Sequence, residues 1–283
     1  MRFILSAFAD EADPALSGQL SALSQNGLSL LEPRGIDGKN IGDLTVAEAK
    51  DLHRRLTDAG IGISALGSPY GKIRITDPFA PHLDAFRRTL EVARELGAAR
   101  IRMFSFFLDG HTHEDCRAEV LERLDALLSA AAEAEVLCCH ENEKGIYGDT
   151  LSPCLDLQRT FSGRMGCVFD PANFLQTGTP TWEAFCALKP HITYYHMKDV
   201  VAATGELVPC GEGDGEIRRI LSALSAEEGE TVLTLEPHLA VFPGLSGLEE
   251  DGGASLKRRH TYRSNTEAFG AAAAALKACL TDL

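Results

Sequence analysis

The sequence predicts a single (β/α)8 TIM barrel, with parallel strands inside and an outer ring of helices. Short runs of β-type apolar residues alternate with longer helix-patterned segments eight times in 283 residues, the repeat expected of such a chain. The apolar runs show little alternation with polar residues, as strands do when helices bury both faces. The first run, Phe3-Ile4-Leu5, leads into Ala9-Asp10-Glu11. The glycine-rich phosphate turn that often opens a doubly wound sheet is missing there, which places that fold second.

Each element has its own signal. Leu16, Leu20 and Leu23, spaced four and three, mark the first helix. Residues 28–31 form the second strand and run into Glu32-Pro33-Arg34. Thr45 with Glu48 three residues on is a capping box that opens the second helix. Residues 61–66 make the third strand, closed by Gly67-Ser68-Pro69, and a helix over 81–96 stops at Gly97. Strands then fall at 99–104, 136–141, 165–170, 192–196 and 231–236, with helices at 114–134, 150–161, 181–188 and 215–224 between them. An alanine-rich helix over 262–280 closes the chain. No linker or shift in composition divides it, so residues 1–283 read as one domain. The one long irregular segment is the loop over residues 239–260, after the eighth strand. It holds Gly244, Gly247, Gly252 and Gly253, then Lys257-Arg258-Arg259, read as a solvated charge run. Loops of this length are usually functional or disordered.

Composition narrows the partners. A net charge of −14 repels phosphate backbones, which argues against nucleic acid, although a local basic pocket can still hold a small anion. Eight cysteines come without a CxxC pair, and Cys138, Cys139 and Cys167 sit inside apolar runs, where free cysteine behaves as a small hydrophobe. With no leader-like start, the expectation is a reducing, cytoplasmic compartment. No apolar stretch approaches a membrane span. Barrels of this size often pair, so a homo-oligomer stays open.

The chemistry is read at the strand ends, because barrel active sites sit at the C-terminal ends of the strands. The fifth strand, VLCCHE, ends in Glu141; the sixth ends in Asp170, the seventh in His196 and the eighth in Glu236. On the fifth strand Leu137, Cys139 and Glu141 share parity, so the carboxylate continues an apolar row. Any one of these residues alone is more ordinarily a cap, an ion pair or a satisfied core histidine. Four in succession are not. Three converging carboxylates repel one another and lose hydration, and one divalent cation resolves that conflict. Three oxygen ligands with one imidazole favour Mn²⁺, with Mg²⁺, Co²⁺ or Zn²⁺ as alternatives.

These segments together carry a resemblance. HENEKGIYGDT (140–150), FDPANF (169–174), YHMKD (195–199), CGEGDGEI (210–217) and LTLEPH (233–238) resemble, in order and spacing, the xylose isomerase-like barrel superfamily, the sugar phosphate isomerase/epimerase group. The resemblance covers essentially the whole chain. It implies that Glu141, Asp170, His196 and Glu236 bind one divalent metal, and that Glu141 and Glu236 exchange a substrate proton beside a carbonyl through a metal-held enediolate. A small-molecule carbohydrate is the implied partner. The chain departs from the family in having Asn173 where a histidine is frequent, and Val200-Val201-Ala202-Ala203 where ketose 3-epimerases carry an arginine. It offers Glu143 and His238 instead.

Arg34, Lys72 and Arg102 follow or lie in strands two to four, and each reads equally as a holder of a sugar oxygen, carboxylate or phosphate and as a structural ion pair. Lys198 reads as a substrate contact or as the partner of Asp199. In CGEGDGEI a tight turn is expected, with Glu212 supporting the metal site. Phe8, Tyr70, Phe104, Phe106 and Trp182 are pocket-wall or core candidates, and His111 and His113 are expected at the surface. The favoured function is a metal-dependent isomerase or epimerase. A lyase on a keto-sugar or keto-glycoside is the alternative. An endonuclease IV-like phosphodiesterase fits less well, since it needs more histidines and a basic surface, and the retained glutamates disfavour a non-catalytic sugar-binding protein.

Overall fold

The computed structural model describes residues 1–245, 256–281 and 283; Gly247, Gly252 and Gly253 lie outside them. The barrel strands are β1 (Arg2–Ala7), β2 (Leu30–Leu31), β3 in two halves (Gly62–Ile63 and Leu66–Gly67), β4 (Arg100–Met103), β5 (Leu137–Glu141), β6 (Met165–Phe169), β7 (Ile192–Met197) and β8 (Glu230–Leu235). All neighbours pair in parallel, in the order β1-β8-β7-β6-β5-β4-β3. The first half of β3 pairs with β2, and β2 reaches β1 through the Glu32 N–H on the Ala7 carbonyl at 3.0 Å, so the ring closes.

Around it lie α1 (Leu16–Gln25), α2 (Val46–Asp58), α3 (Phe79–Glu95), α4 (His113–Glu133), α5 (Leu151–Thr160), α6 (Pro171–Gln176), α7 (Thr181–Leu188), α8 (Ile217–Ser225) and α9 (Asn265–Thr281). The capping box at Thr45 forms as its spacing predicts. Among the elements that were not predicted are a short helix after β6 and an added hairpin. Asp170 caps α6 by accepting the Asn173 N–H at 2.9 Å, with Pro171 in the first turn. Residues Asp199–Val201 and Glu206–Val208 form a hairpin outside the barrel, and Lys257–Arg258 adds to it in parallel. That pairing corrects the solvated-charge reading of Lys257-Arg258-Arg259. Arg258 is partly buried, with Nε on the His238 carbonyl at 2.8 Å, and Arg259 pairs with Glu206 at 3.3 Å. Among the described residues no helix is long and apolar enough to cross a membrane.

The apolar core has two parts. The larger lies between sheet and helices. The smaller fills the barrel itself, with Ala65, Cys139, Val168, Tyr194 and Val232 buried and Ile4, Leu30 and Leu137 packed against them. Because strand side chains alternate, this inner layer fixes which later residues also point inward.

Candidate metal centre and active site

Two residues beyond Cys139, Val168 and Tyr194 stand Glu141, Asp170 and His196; beyond Val232 the same row continues through Thr234 to Glu236. The four strand-end residues therefore project over the inner layer. One ligand atom from each lies within 4.8 Å of all the others, and all four side chains are buried. His196 Nδ1 is 2.8 Å from Glu141 Oε1 and 3.1 Å from Glu236 Oε2. Asp170 Oδ2 is 3.0 Å from Lys198 Nζ. Asp170 Oδ2 and Glu236 Oε2 are buried and meet only the charged groups Lys198 Nζ and His196 Nδ1, which leaves each with a further lone pair in the cluster. Buried carboxylate oxygens in this state fit a dication, and the oxygen-rich donor set with one imidazole can hold one.

The electrostatics are strongly coupled. Burial pushes the Glu141 carboxyl up, but His196 and Arg102 together bring it down to about 2. Burial opposes the charged form of His196, yet Glu141, Glu32 and Glu236 hold its pKa well above the usual imidazole value. Glu236 is held well below the carboxylate range by Lys198 and His196 against its own burial. Asp170 goes the other way, because burial outweighs Lys198 and raises it to about 7.

The softer candidates gather at the same mouth. Arg102 Nη1 donates to Glu141 Oε2 at 3.1 Å. Arg34 spans three carboxylates, Glu236 at 2.8 Å, Asp10 at 3.0 Å and Glu11 at 3.4 Å. Lys72 pairs with Glu143 at 2.8 Å. His238 lies 3.5 Å from both Glu11 and Glu236, with neither ring nitrogen hydrogen bonded; burial lowers its pKa to about 4. Asn173 donates its amide to the Asn142 carbonyl at 2.8 Å, which ties the ends of β5 and β6 together. Phe8 lies under both guanidinium groups, 4.4 Å from Arg34 and 5.1 Å from Arg102, and Phe104 under Arg102 and Lys72.

The readings of Lys198 and Glu212 are corrected, and the aromatic and histidine candidates take definite places. Lys198 pairs with Asp170 rather than Asp199. Glu212 is exposed and pairs with His260 at 2.8 Å, so it does not support the metal site. Trp182 packs on Phe185 with Arg219 over its ring, on the outer face. Phe106 packs against Phe79 in the core, and Tyr70 against Phe86 with its hydroxyl on Thr89. His113 opens α4 and pairs with Asp149.

Sequence reasoning missed Glu32, Asp10 and Glu11. Glu32 is fully buried, and its Oε1 accepts from Tyr194 Oη at 2.9 Å and lies 3.3 Å from His196 Nε2. A carboxylate there fixes the ring orientation of a metal-type histidine. The same signal that marked Glu141 was available: Leu30-Leu31 is an apolar run closed by an acid.

Asp199 explains the glycine-rich segment. Its carboxylate accepts the N–H groups of Val200, Gly211, Gly213 and Gly215 at 2.8 to 3.0 Å. A Cβ on Gly213 would come 2.3 Å from Asp199 Oδ1, so the glycines let the backbone wrap an internal anion. The turn is the one expected; its anion is a side chain. Replacing Asp199 by Ala strands these buried donors, and an expected loss of about 3 kcal/mol is measurable by urea unfolding. A loss under about 0.5 kcal/mol would refute the wrapping role.

The family described as xylose isomerase-like TIM barrel matches residues 20–258. No curated protein matches. Similar solved structures include the IOLI protein with a bound zinc atom, at 17% identity over 100% of this chain and 99% of that one, TM-score 0.74. A D-allulose 3-epimerase from Methylomonas sp. is 15% identical over 98% of each chain, TM-score 0.74. The probable 3-DHS dehydratase AsbF from Bacillus anthracis is 15% identical over 98% of this chain and 99% of that one, TM-score 0.73. At these identities the solved structures speak for the fold alone. The family match spans most of the chain, the ring closes on eight parallel strands, and the matched segment carries all four strand-end residues: the chain belongs to the xylose isomerase-like TIM barrel family.

Proposed function

We propose that the protein is a metal-dependent isomerase or epimerase of a small keto-sugar, with Glu141, Asp170, His196 and Glu236 as the metal ligands. The observation that carries this reading is the meeting of Glu141 and Glu236, from β5 and β8, on one imidazole at 2.8 and 3.1 Å. When bound, the dication supplies Lewis acidity that polarises a carbonyl and acidifies the neighbouring C–H. The chain's own residues supply the rest. Glu141 and Glu236 are both held ionised, so either can take a carbon-bound proton, and their places on different strands let them address different faces of one sugar. Arg102 and Arg34 hold the two carboxylates in place. Lys198, 3.0 Å from Asp170, sets a positive charge where oxyanion character grows. Burial of the whole cluster excludes bulk water.

The similarity to a D-allulose 3-epimerase supports this reading. A second reading, elimination from a keto-sugar or keto-glycoside, starts with the same proton loss; it is favoured by the similarity to a dehydratase and by the absence of a histidine at Asn173.

The test is incubation of metal-loaded protein in D₂O with ketoses, keto-acids and keto-glycosides. One solvent deuterium in an isomeric or epimeric product is the expected result. Release of water or an aglycone with an unsaturated product would establish the elimination instead. Neither incorporation nor release of water or an aglycone from any substrate class would overturn both.

A further inference from the structure

Beside the ligand cluster lies a cavity of about 180 Å³. The ligands come from β5 to β8, whereas the cavity is lined mainly by residues that follow β1 to β4, with Pro243 and Gly244 after β8. Its charged lining among the described residues is Arg34, Lys39, Lys72 and Arg102 against one carboxylate, Asp10; behind the wall Arg34 also meets Glu11 and Glu236, half-exposed Lys39 meets Glu48, Lys72 meets Glu143 and Arg102 meets Glu141. Four cations around one small cavity stand out in a chain of net charge −14. The two compartments touch through single guanidinium groups: Arg34 Nη1 is 2.8 Å from Glu236 Oε1, and Arg102 Nη1 is 3.1 Å from Glu141 Oε2.

The placement of Lys39 is built. Gly35–Ile36 and Lys39–Asn40 form a hairpin turned by Asp37 and Gly38, both left-handed at φ 50° and 83°, the pair a two-residue hairpin turn demands. The Asp37 carboxylate is braced on the Leu16 N–H and on Arg55, each at 2.8 Å.

Lysine and arginine side chains donate hydrogen bonds and accept none. A neutral sugar brings hydroxyls that must donate as well as accept, and this wall offers them few acceptors. An anionic group brings acceptors only, and its bonds to these cations are charge-assisted. Glu141 and Glu236 are shared between the cation site and the two arginines. Once their charge is committed to a dication, Arg102 loses Glu141 and Arg34 keeps only Asp10 and Glu11, so each guanidinium has a share of its charge to offer a ligand.

We infer that the substrate carries an anionic group, a carboxylate or a phosphate, at the end remote from the reacting carbon, and that this cavity seats it on Arg34, Lys39 and Lys72. The inference rests on the proton-transfer reading for where the reacting carbon lies.

The test is calorimetric titration of the metal-loaded protein, at fixed ionic strength, with methyl glucoside, methyl glucosiduronate and methyl glucoside 6-phosphate. At least one anion is expected to bind about tenfold or more tighter than the neutral glycoside, from one to two charge-assisted bonds. The tighter of the two names the group. In a Lys39→Met/Lys72→Met variant, which keeps Arg34, the advantage is expected to fall at least about threefold while affinity for the neutral glycoside stays within about twofold. Equal affinities for all three, or an advantage undiminished in the variant, overturn the inference. Metal content and deuterium exchange are read on the same samples. Anion preference without exchange rejects only the proton-transfer reading, and exchange without anion preference rejects only the anion seat.

Discussion

Glu141→Gln is expected to lower solvent-deuterium exchange about 10²- to 10⁴-fold, the range for removal of a positioned general base. Gln keeps the shape and one acceptor for Arg102 Nη1, now 3.1 Å from Oε2, but removes the charge that accepts a proton. Glu236→Gln is expected to act in the same range, from the other face of the substrate. Both residues are also proposed ligands, so exchange must be read at saturating metal, with content checked by elemental analysis. A variant that keeps its metal and retains exchange within about threefold of wild type would show that its carboxylate is not the base. Loss in one variant only would assign the base for that substrate's configuration and leave the other residue as a ligand.

Chelation is the second large effect. Removing a dication present at a thousandfold excess over Kd costs about 4 kcal/mol of stability, read as a lower melting temperature with EDTA. The effect should shrink as pH falls. Asp170 is raised to about 7 chiefly by burial, so below that pH it holds a proton that a metal must displace. His196, held protonated by Glu141, Glu32 and Glu236, must also release one to ligate. Binding thus frees one to two protons, and apparent affinity should fall about ten- to a hundredfold per pH unit below 7. The signs for the metal-free fold differ between the two groups. Asp170, an acid with a raised folded value, destabilises the fold progressively as pH rises from about 4, its unfolded value, to about 7, and is then constant. His196 contributes stability that is complete below about 6.5 and is lost only as pH climbs through its raised folded value. Equal EDTA effects at pH 6 and pH 8 would contradict this proton–metal competition.

Much of the site was legible because strand periodicity is local. Leu137, Cys139 and Glu141 share parity within one short run, so Glu141 points wherever that row points; the closed barrel makes it the inner row. The same rule carries Asp170, His196 and Glu236. Helix boundaries were legible where a cap is written in the sequence, as at Thr45 and Glu48. Asp170 was harder because one residue does two jobs: Oδ1 caps α6 while Oδ2 faces the cluster, and the sequence shows only an acid before a proline. Glu32 obeyed the same strand-end rule but was overshadowed by Arg34. The partner of the glycines at 211, 213 and 215 lies twelve to sixteen residues upstream, outside the turn they form.

By itself the sequence determined the strand–helix repeat, the residues that share a face of the fifth strand and the kinds of side chain that end the strands, since each depends on residues a few positions apart. Only the tertiary structure decided which acid meets which base. Arg34 and Glu236 are 202 residues apart in the chain and 2.8 Å apart in space, and the cavity bounded by Arg34, Lys39, Lys72 and Arg102 exists only once β1 and β8 join. The reason is that charge interactions and cavity shape depend on distance through space, which ring closure sets and local sequence does not encode.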